Sequence, residues 1–233
     1  TALPAMSADF RVHTVRLRPG IFFQDHPAFG GRPRELTAAD YVYSIKRFYD
    51  PRFKSPNLYR LDSVGVLGMA ELREAALKGA RFDYDHPVEG LRVLDRYTFE
   101  IRLRDPAPRF NFQLADSSFL VAVAREVIEA HDPQALMGVP VGTGPFRLAE
   151  WRRSSRIVLE RNPRYREVRY DEQPPADDPA AVALAQRLRG RRLPLIDRVE
   201  ISIVEENQPR WLAFLNGEHD LVDEIPVDLA DIV

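Results

Sequence analysis

Alternating apolar and polar residues predict extended structure in two parts of the first half of the chain. The run Val12–Leu17 interleaves apolar and charged residues and ends at Pro19-Gly20. The runs Leu91–Leu94 and Tyr97–Leu103 flank a two-residue turn, and every other residue of the second run is apolar. A period of two places alternate side chains on opposite faces of a strand. These patterns predict a strand followed by a turn and, later in the chain, a β-hairpin.

A capped amphipathic helix gives the clearest local signal. Thr37 precedes an apolar run, and Asp40 follows Thr37 by three residues, which is the spacing of a capping box. The Thr hydroxyl can accept a hydrogen bond from the N3 amide, while the Asp carboxylate lies near the positive end of the helix dipole. Apolar residues recur at helical spacing as far as Tyr49, so the helix is predicted to end at Asp50-Pro51. Further helices are predicted at residues 69–77, 125–130 and 209–215, the last with Gly217 as its C-cap.

The second half of the chain predicts another sheet and one interruption. Strand patterns occur at Phe146–Leu148, Arg156–Leu159 and Val199–Ile203. The first part of residues 171–192 is rich in Pro and Asp, and the last part is basic. Because the segment shows no apolar period, it is predicted to be an exposed and mobile surface insertion. The alternation of hairpins and helices predicts a mixed α/β (α+β) fold. We expect the 91–104 hairpin and the 37–49 helix in one subdomain, and residues 141–165 and 196–221 in a second sheet.

Composition excludes several functional classes. The 233 residues carry 33 Lys and Arg against 35 Asp and Glu, so no strong field of one sign points to nucleic acid or an anionic membrane as a partner. Cysteine is absent, which excludes disulfides, thiolate metal sites and a cysteine nucleophile. No apolar run reaches the roughly 18 residues of a membrane span. The chain starts at Thr1 without Met and stops inside an apolar-acidic stretch, so we expect it to be part of a longer protein.

Local motifs predict neither catalysis nor a cofactor. The five His residues are far apart in the sequence, and no HExxH pair or GxSxG elbow is present, so we expect no metal site and no catalytic residues. Gly142-Thr-Gly144 could belong to a phosphate-binding loop, but the chain then enters a strand rather than a helix, which favours a tight turn. From the residues alone, the prediction is a non-catalytic α/β domain without cofactors.

Four stretches, in this order, resemble the large extracytoplasmic solute-binding proteins of the peptide- and nickel-binding type. The first is HTVRLRPGIFFQD at residues 13–25, and the second is TAADYVYSIKR at residues 37–47 with the following Asp50-Pro51. The third joins VGTGPF at residues 141–146 to RIVLERNPRY at residues 156–165. The fourth joins IDRVEI at residues 196–201 to LNGEHDL at residues 215–221. The turn after Asp25 is longer than the family pattern, and residues 171–192 are extra.

The resemblance implies part of a fold like that of the type II periplasmic binding proteins. Residues 1–140 would form part of the smaller subdomain of the first lobe. Residues 141–225 would form the middle of that lobe, with the insertion at 171–192. Residues 226–233 would begin the crossing to a second lobe that this chain does not contain.

The resemblance also implies a function, namely the substrate-binding component of an ABC importer. Such a protein captures a peptide or similar small solute between two lobes and delivers it to a permease in the inner membrane, so a periplasmic or extracytoplasmic, monomeric protein without enzymatic activity is expected. The ligand-contacting candidates are Tyr59 and Asn57, in the segment after Ser55-Pro56, together with Ser117 and Ser118. For Tyr59 the alternative is a half-buried packing role. A hydrolase, or a receptor or regulator that reuses the domain, remains the functional alternative.

Overall fold

The computed structural model describes residues 3–223 and residue 225 and has a mixed α/β fold. The described residues form two compact units. The first contains the chain up to Pro145 together with Asn162–Leu193, and the second contains Phe146–Arg161 together with the residues from Pro194 onward. Residues 226–233, for which a crossing to a second lobe is expected, lie outside the described residues.

A four-stranded antiparallel sheet organises the first unit. Its strands are β1 Ala5–Met6, β2 Val12–Arg16, β3 Leu91–Asp95 and β4 Thr98–Arg102. They lie in the order β1-β2-β4-β3. The predicted hairpin is confirmed as β3 and β4, and Phe99 and Ile101 on β4 are 1% and 0% exposed. The predicted first strand is confirmed as β2, which pairs with β4 in continuous register.

The predicted capped helix is confirmed as α1, Ala38–Tyr49. The Asp40 carboxylate accepts hydrogen bonds from the Thr37 amide at 2.7 Å and from the Thr37 hydroxyl at 2.9 Å. Tyr41 stacks on Phe99 of β4 with ring centroids 5.2 Å apart. The helix therefore joins the sheet in the main hydrophobic core, as predicted.

Short helices complete the first unit around this core. They are α2 Leu58–Asp62, α3 Met69–Leu77, α4 Phe110–Leu114 and α5 Arg125–Glu129. The long turn after Asp25 forms a 3₁₀ turn at Pro27–Phe29. In this turn Phe29 joins Phe23 and Val127 in a second, smaller buried cluster. The extra residues of the turn therefore contribute their own packing.

The insertion expected at residues 171–192 contains regular structure that the apolar pattern does not predict. Helix α6, Pro179–Leu188, begins after Asp178, whose carboxylate accepts a hydrogen bond from the Ala181 amide at 2.9 Å. The two-residue strands β7, Val168–Arg169, and β8, Arg192–Leu193, pair antiparallel on either side of it. Most of the segment is exposed, as expected, but Ala185 is 2% exposed. Capping at Asp178 and this single buried contact form a helix that the apolar pattern does not reveal.

A three-stranded antiparallel sheet and one helix form the described part of the second unit. Its strands are β5 Phe146–Arg152, β6 Arg156–Arg161 and β9 Arg198–Ser202, and helix α7, Asn207–Leu215, follows them. The sheet order is β5-β6-β9, which confirms the predicted second sheet. Gly217 has a φ of 74° and its amide donates to the Phe214 carbonyl, so the helix ends in a left-handed glycine turn.

Candidate functional site

All four predicted contact residues lie on the surface of the first unit. Tyr59 is on α2 and its side chain is 67% exposed, so it does not have the half-buried packing role. Asn57 is half-buried and directly precedes α2. Ser117 and Ser118 are exposed in the turn that follows α4. The structure therefore leaves polar groups of both segments accessible.

One ion pair joins the two segments that contain these residues. The Arg60 guanidinium on α2 donates to the Asp116 carboxylate, with Nη2 2.9 Å from Oδ2. The other oxygen of Asp116 accepts hydrogen bonds from the Ser118 amide at 2.9 Å and the Ser118 hydroxyl at 2.6 Å. We name residues 57–60 and 116–118, joined in this way, the Arg60–Asp116 site. Parts of the chain that are 56 positions apart thus form one local structure.

The Arg60–Asp116 site is attached to the main core through an aromatic ring. The Arg60 guanidinium carbon lies 3.8 Å from the centroid of the Phe119 ring, and Phe119 is 3% exposed. Phe119 in turn contacts Phe48 of α1 edge to face, with centroids 5.1 Å apart. A cation held this close to a ring face is stabilised by the ring quadrupole. The exposed groups of the site are therefore anchored to the hydrophobic core through Phe119.

The electrostatics keep Asp116 ionised at neutral pH. The hydrogen bond from the Ser118 hydroxyl, then the Ser118 amide and the Arg60 guanidinium, lower the pKa of Asp116 below its ordinary value. Because an ionised carboxylate only accepts hydrogen bonds, Asp116 holds both segments by their donors. The hydroxyls of Tyr59 and Ser117 make no hydrogen bond within the described part of the chain. These two groups are free to pair with polar groups of a bound molecule.

Arg60 and Asp116 are the residues that sequence reasoning missed. Asp116 accepts from the amide two residues later, which is an Asx-turn, and the Asp-Ser-Ser sequence is a signal for such a turn. Arg60 has no comparable local signal, since its partner lies in a distant segment. Phe112 on α4 is also 77% exposed, and no pattern in the sequence indicated that this aromatic side chain lies at the surface.

His13, one group with potential chemistry, has a structural role. His13 is fully buried, and its ring nitrogens lie 3.3 Å from Asn111 Oδ1 and 3.1 Å from the Phe10 carbonyl oxygen. Among the described residues, no three His, Asp or Glu side chains come together in a way that could hold a metal ion. Within the same part of the chain, no helix combines the length and the apolar character that a membrane crossing requires.

Several motif residues make hydrogen bonds inside the first unit. The buried Asn162 side chain donates to the Gly144 carbonyl at 2.8 Å, and its amide donates to the Pro145 carbonyl at the same distance. The backbone amide of Gln24 donates to the Gly142 carbonyl at 2.9 Å. Asp40 is 2% exposed and serves the start of α1. The third stretch of the resemblance therefore holds in place a bend at residues 143–145, where a tight turn is expected.

Sequence comparisons find relatives of this chain among periplasmic binding proteins. It is 32% identical over 157 residues to the periplasmic oligopeptide-binding protein OppA of Salmonella typhimurium, an alignment that covers 67% of this chain and 26% of that protein. It is also 32% identical over 159 residues to the probable deoxycholate-binding periplasmic protein YgiS of Escherichia coli, covering 68% and 27%. The chain thus spans about a quarter of the length of the curated relatives that it matches.

Solved structures confirm the expected fold. A periplasmic oligopeptide-binding protein from Borrelia burgdorferi superposes with a TM-score of 0.70 at 22% identity, covering 98% of this chain and 38% of that one. Haemophilus influenzae OppA in complex with the peptide RPPGFSPFR gives a TM-score of 0.69 at 20% identity, with the same coverage. The chain therefore has part of the periplasmic peptide-binding fold. The family described as bacterial extracellular solute-binding proteins, family 5 Middle, matches residues 1–233, and the chain belongs to this family.

Proposed function

We propose that the protein containing this chain is the substrate-binding component of an ABC importer. It would capture a peptide or similar small solute in the periplasm and deliver it, as a monomer, to a permease in the inner membrane. Relatives named for oligopeptide and for deoxycholate binding support a small-solute ligand. The observation that carries the proposal is the match of the solute-binding family to residues 1–233, and the Arg60–Asp116 ion pair holds the two predicted contact segments together at an exposed surface.

The groups of the Arg60–Asp116 site suit a peptide backbone. The Tyr59 ring offers a large apolar face with a hydroxyl at its edge, and such rings stack well on planar groups. The Asn57 amide and the hydroxyls of Ser117 and Ser118 provide both donors and acceptors, which a chain of peptide units requires. Specificity in small-molecule sites comes from a few polar groups placed on an otherwise apolar wall.

This wall would be one side of a cleft. We assign residues 1–140 to the smaller subdomain of the first lobe and residues 141–225 to its middle part, with the second lobe outside this chain. Closure of two lobes about a hinge buries a ligand between them and excludes water. Binding in such a cleft needs no covalent step, so the ligand is released unchanged and the protein is not an enzyme.

Substitution of Tyr59 tests the site. In the intact protein, Tyr59→Ala should raise the Kd of a bound peptide by about five- to thirty-fold, equivalent to about 1–2 kcal/mol, because the stacking ring is lost. Isothermal titration calorimetry with a library of short peptides would first identify a ligand and then measure the variant. Leu77→Ala is the matched control, since Leu77 is 62% exposed on α3 and is not part of the site.

A second variant tests the ion pair itself. Asp116→Asn keeps the shape of the side chain and an acceptor for the Ser118 amide but removes the charge that pairs with Arg60. A weaker affinity with an unchanged melting temperature is expected, because the two segments lose their fixed spacing. Unaltered affinity in both Tyr59→Ala and Asp116→Asn would place the ligand elsewhere on the protein.

Comparison of two protein lengths tests the two-wall cleft. These 233 residues alone should bind the same peptide far more weakly than the intact protein, since one wall leaves half of the contacts to water while the entropy cost of association is nearly unchanged. Recovery of intact peptide from both samples by mass spectrometry is expected for a binding protein. Equal affinity of the two proteins would contradict the cleft, and cleaved peptide would contradict a non-enzymatic role.

A further inference from the structure

A second concave site lies in the first unit. A cavity of about 770 Å³ is bordered by α1, the loop at residues 81–85, α5 and the residues that follow α5. Sites for small molecules typically enclose about 300–1,000 Å³, so the cavity has the size of a ligand site. None of the residues that line it belongs to the Arg60–Asp116 site.

Aromatic side chains form one wall of this cavity. The rings of Tyr43 and Tyr84 are 4.6 Å apart, and Phe82 contacts Tyr84 edge to face at 5.0 Å. The Tyr84 hydroxyl donates to the fully buried Asp50 carboxylate at 2.8 Å, which fixes the ring. The Tyr43 hydroxyl has no hydrogen-bond partner in the part of the chain that the structure describes, and burial, followed by the charge of Glu129, raises the pKa of Tyr43 to about 12. The Tyr84 ring is thus held in place, and Tyr43, which is 6% exposed, carries a hydroxyl without a partner among the described residues.

The charges around the cavity have mixed signs. Three arginines and four carboxylates line it, so neither a simple anion nor a simple cation is favoured by the overall field. Arg125 is held by Asp85 and Glu129, with its guanidinium 5.6 Å from the Tyr43 ring centroid. Arg81 and Asp132, in contrast, form no ion pair with other described residues. One positive and one negative group are therefore available to a ligand beside an aromatic wall.

We propose that this cavity binds a zwitterionic solute with an aromatic side chain, of the size of a free amino acid or a dipeptide. Arg81 pairs with the carboxylate of the solute, and Asp132 pairs with its ammonium group. The aromatic ring of the solute packs against Tyr43, Tyr84 and Phe82. This site goes beyond the proposed function, because it is separate from the surface assigned to the transported peptide.

The test uses L-phenylalanine as the probe in calorimetry with the intact protein. Saturable binding is expected, and the affinity should be at least about tenfold lower for 3-phenylpropionate and phenethylamine, each of which lacks one of the two charges. L-Alanine, which lacks the ring, should also bind at least about tenfold more weakly, because aromatic contact is lost. Absence of saturable heat with L-phenylalanine, or equal affinity for all four compounds, would overturn the proposal.

Variants locate the bound probe. Arg81→Gln and Asp132→Asn should each raise the Kd for L-phenylalanine at least about fivefold, through loss of a charge-assisted hydrogen bond. Arg187→Gln, at an exposed position on α6, is the control and should leave the Kd unchanged. Peptide affinity should be unaltered in all three. A loss caused by Tyr59→Ala but not by Arg81→Gln would place the amino acid in the Arg60–Asp116 site and refute a second site, while leaving the proposed function intact.

Discussion

Replacement of Asp40 is expected to be among the most destabilising single changes in the first unit. Its carboxylate is 2% exposed and accepts hydrogen bonds from the Thr37 amide and hydroxyl. It also forms an ion pair with Arg34, with Nη2 2.6 Å from Oδ1 and Nη1 3.1 Å from Oδ2. The same side chain thus caps α1 and neutralises a partly buried guanidinium.

The magnitude follows from these contacts. Loss of a helix cap costs about 1 kcal/mol, and breaking a fully buried ion pair costs about 3–5 kcal/mol. The second figure must be reduced, because the Arg34 side chain is 23% exposed and keeps Glu126, whose Oε1 lies 2.7 Å from Nε. We therefore expect Asp40→Ala to lower the free energy of unfolding by about 3 kcal/mol. For a chain of this length that corresponds to a fall in melting temperature of about 6–12 °C.

Urea unfolding followed by circular dichroism measures this change, with thermal scans as a second measurement. Glu126→Gln is the matched control, because it removes the other carboxylate of the same arginine at a position that is 42% exposed. A loss below about 1 kcal/mol is expected for the control, as for other surface ion pairs. If Asp40→Ala lowers the free energy of unfolding no more than Glu126→Gln does, burial does not determine how much the Arg34–Asp40 pair contributes to stability, and the reasoning is wrong.

Three further predictions concern stability and motion. Thr37→Ala should cost about 1 kcal/mol without altering peptide affinity, and a large affinity loss at unchanged melting temperature would contradict the capping role. Burial and then the charge of His131 lower the pKa of His26 below 6.5, so the unfolded chain takes up the proton first and thermal stability should fall as the pH drops below 6.5. His26→Asn, which keeps an acceptor for the Ala28 amide, should flatten this dependence, and an unchanged slope would refute it. Amide exchange should be rapid at residues 171–177 and slower across α6, whereas uniform protection would mean that the exposed stretch is misjudged.

Elements with a strong local period could be predicted from the sequence. The hairpin and α1 have apolar residues at the spacing of two and of about 3.6, and the structure confirms them. Helix α6 was not predicted because Ala residues occur on all sides of it, so the sequence shows no distinct apolar face. In the structure, Ala185 is its buried residue. Helices α2 and α4, of five residues each, were not predicted, whereas the equally short α5 was.

The candidate site was predictable only in part. The resemblance marked Tyr59 and Ser118, and the structure leaves both at the surface. The ion pair that connects their segments was not predictable, because Arg60 and Asp116 are brought together by packing around Phe119. Sequence spacing gives no information on such a contact, since it depends on how the whole core is assembled.

The motif residues and the candidate ligand residues form two separate groups. Asp40 and Asn162 are buried and make hydrogen bonds inside the first unit, so the motifs that identify the family maintain the fold. Tyr59 and Ser117 are exposed, and their hydroxyls have no partners within the described residues. Tyr59→Ala should therefore change peptide affinity while the free energy of unfolding stays within about 0.5 kcal/mol, as for other surface substitutions. Asp40→Ala should show the opposite pattern, with stability reduced and the affinity of the folded protein retained, because its contacts do not extend to the ligand surface.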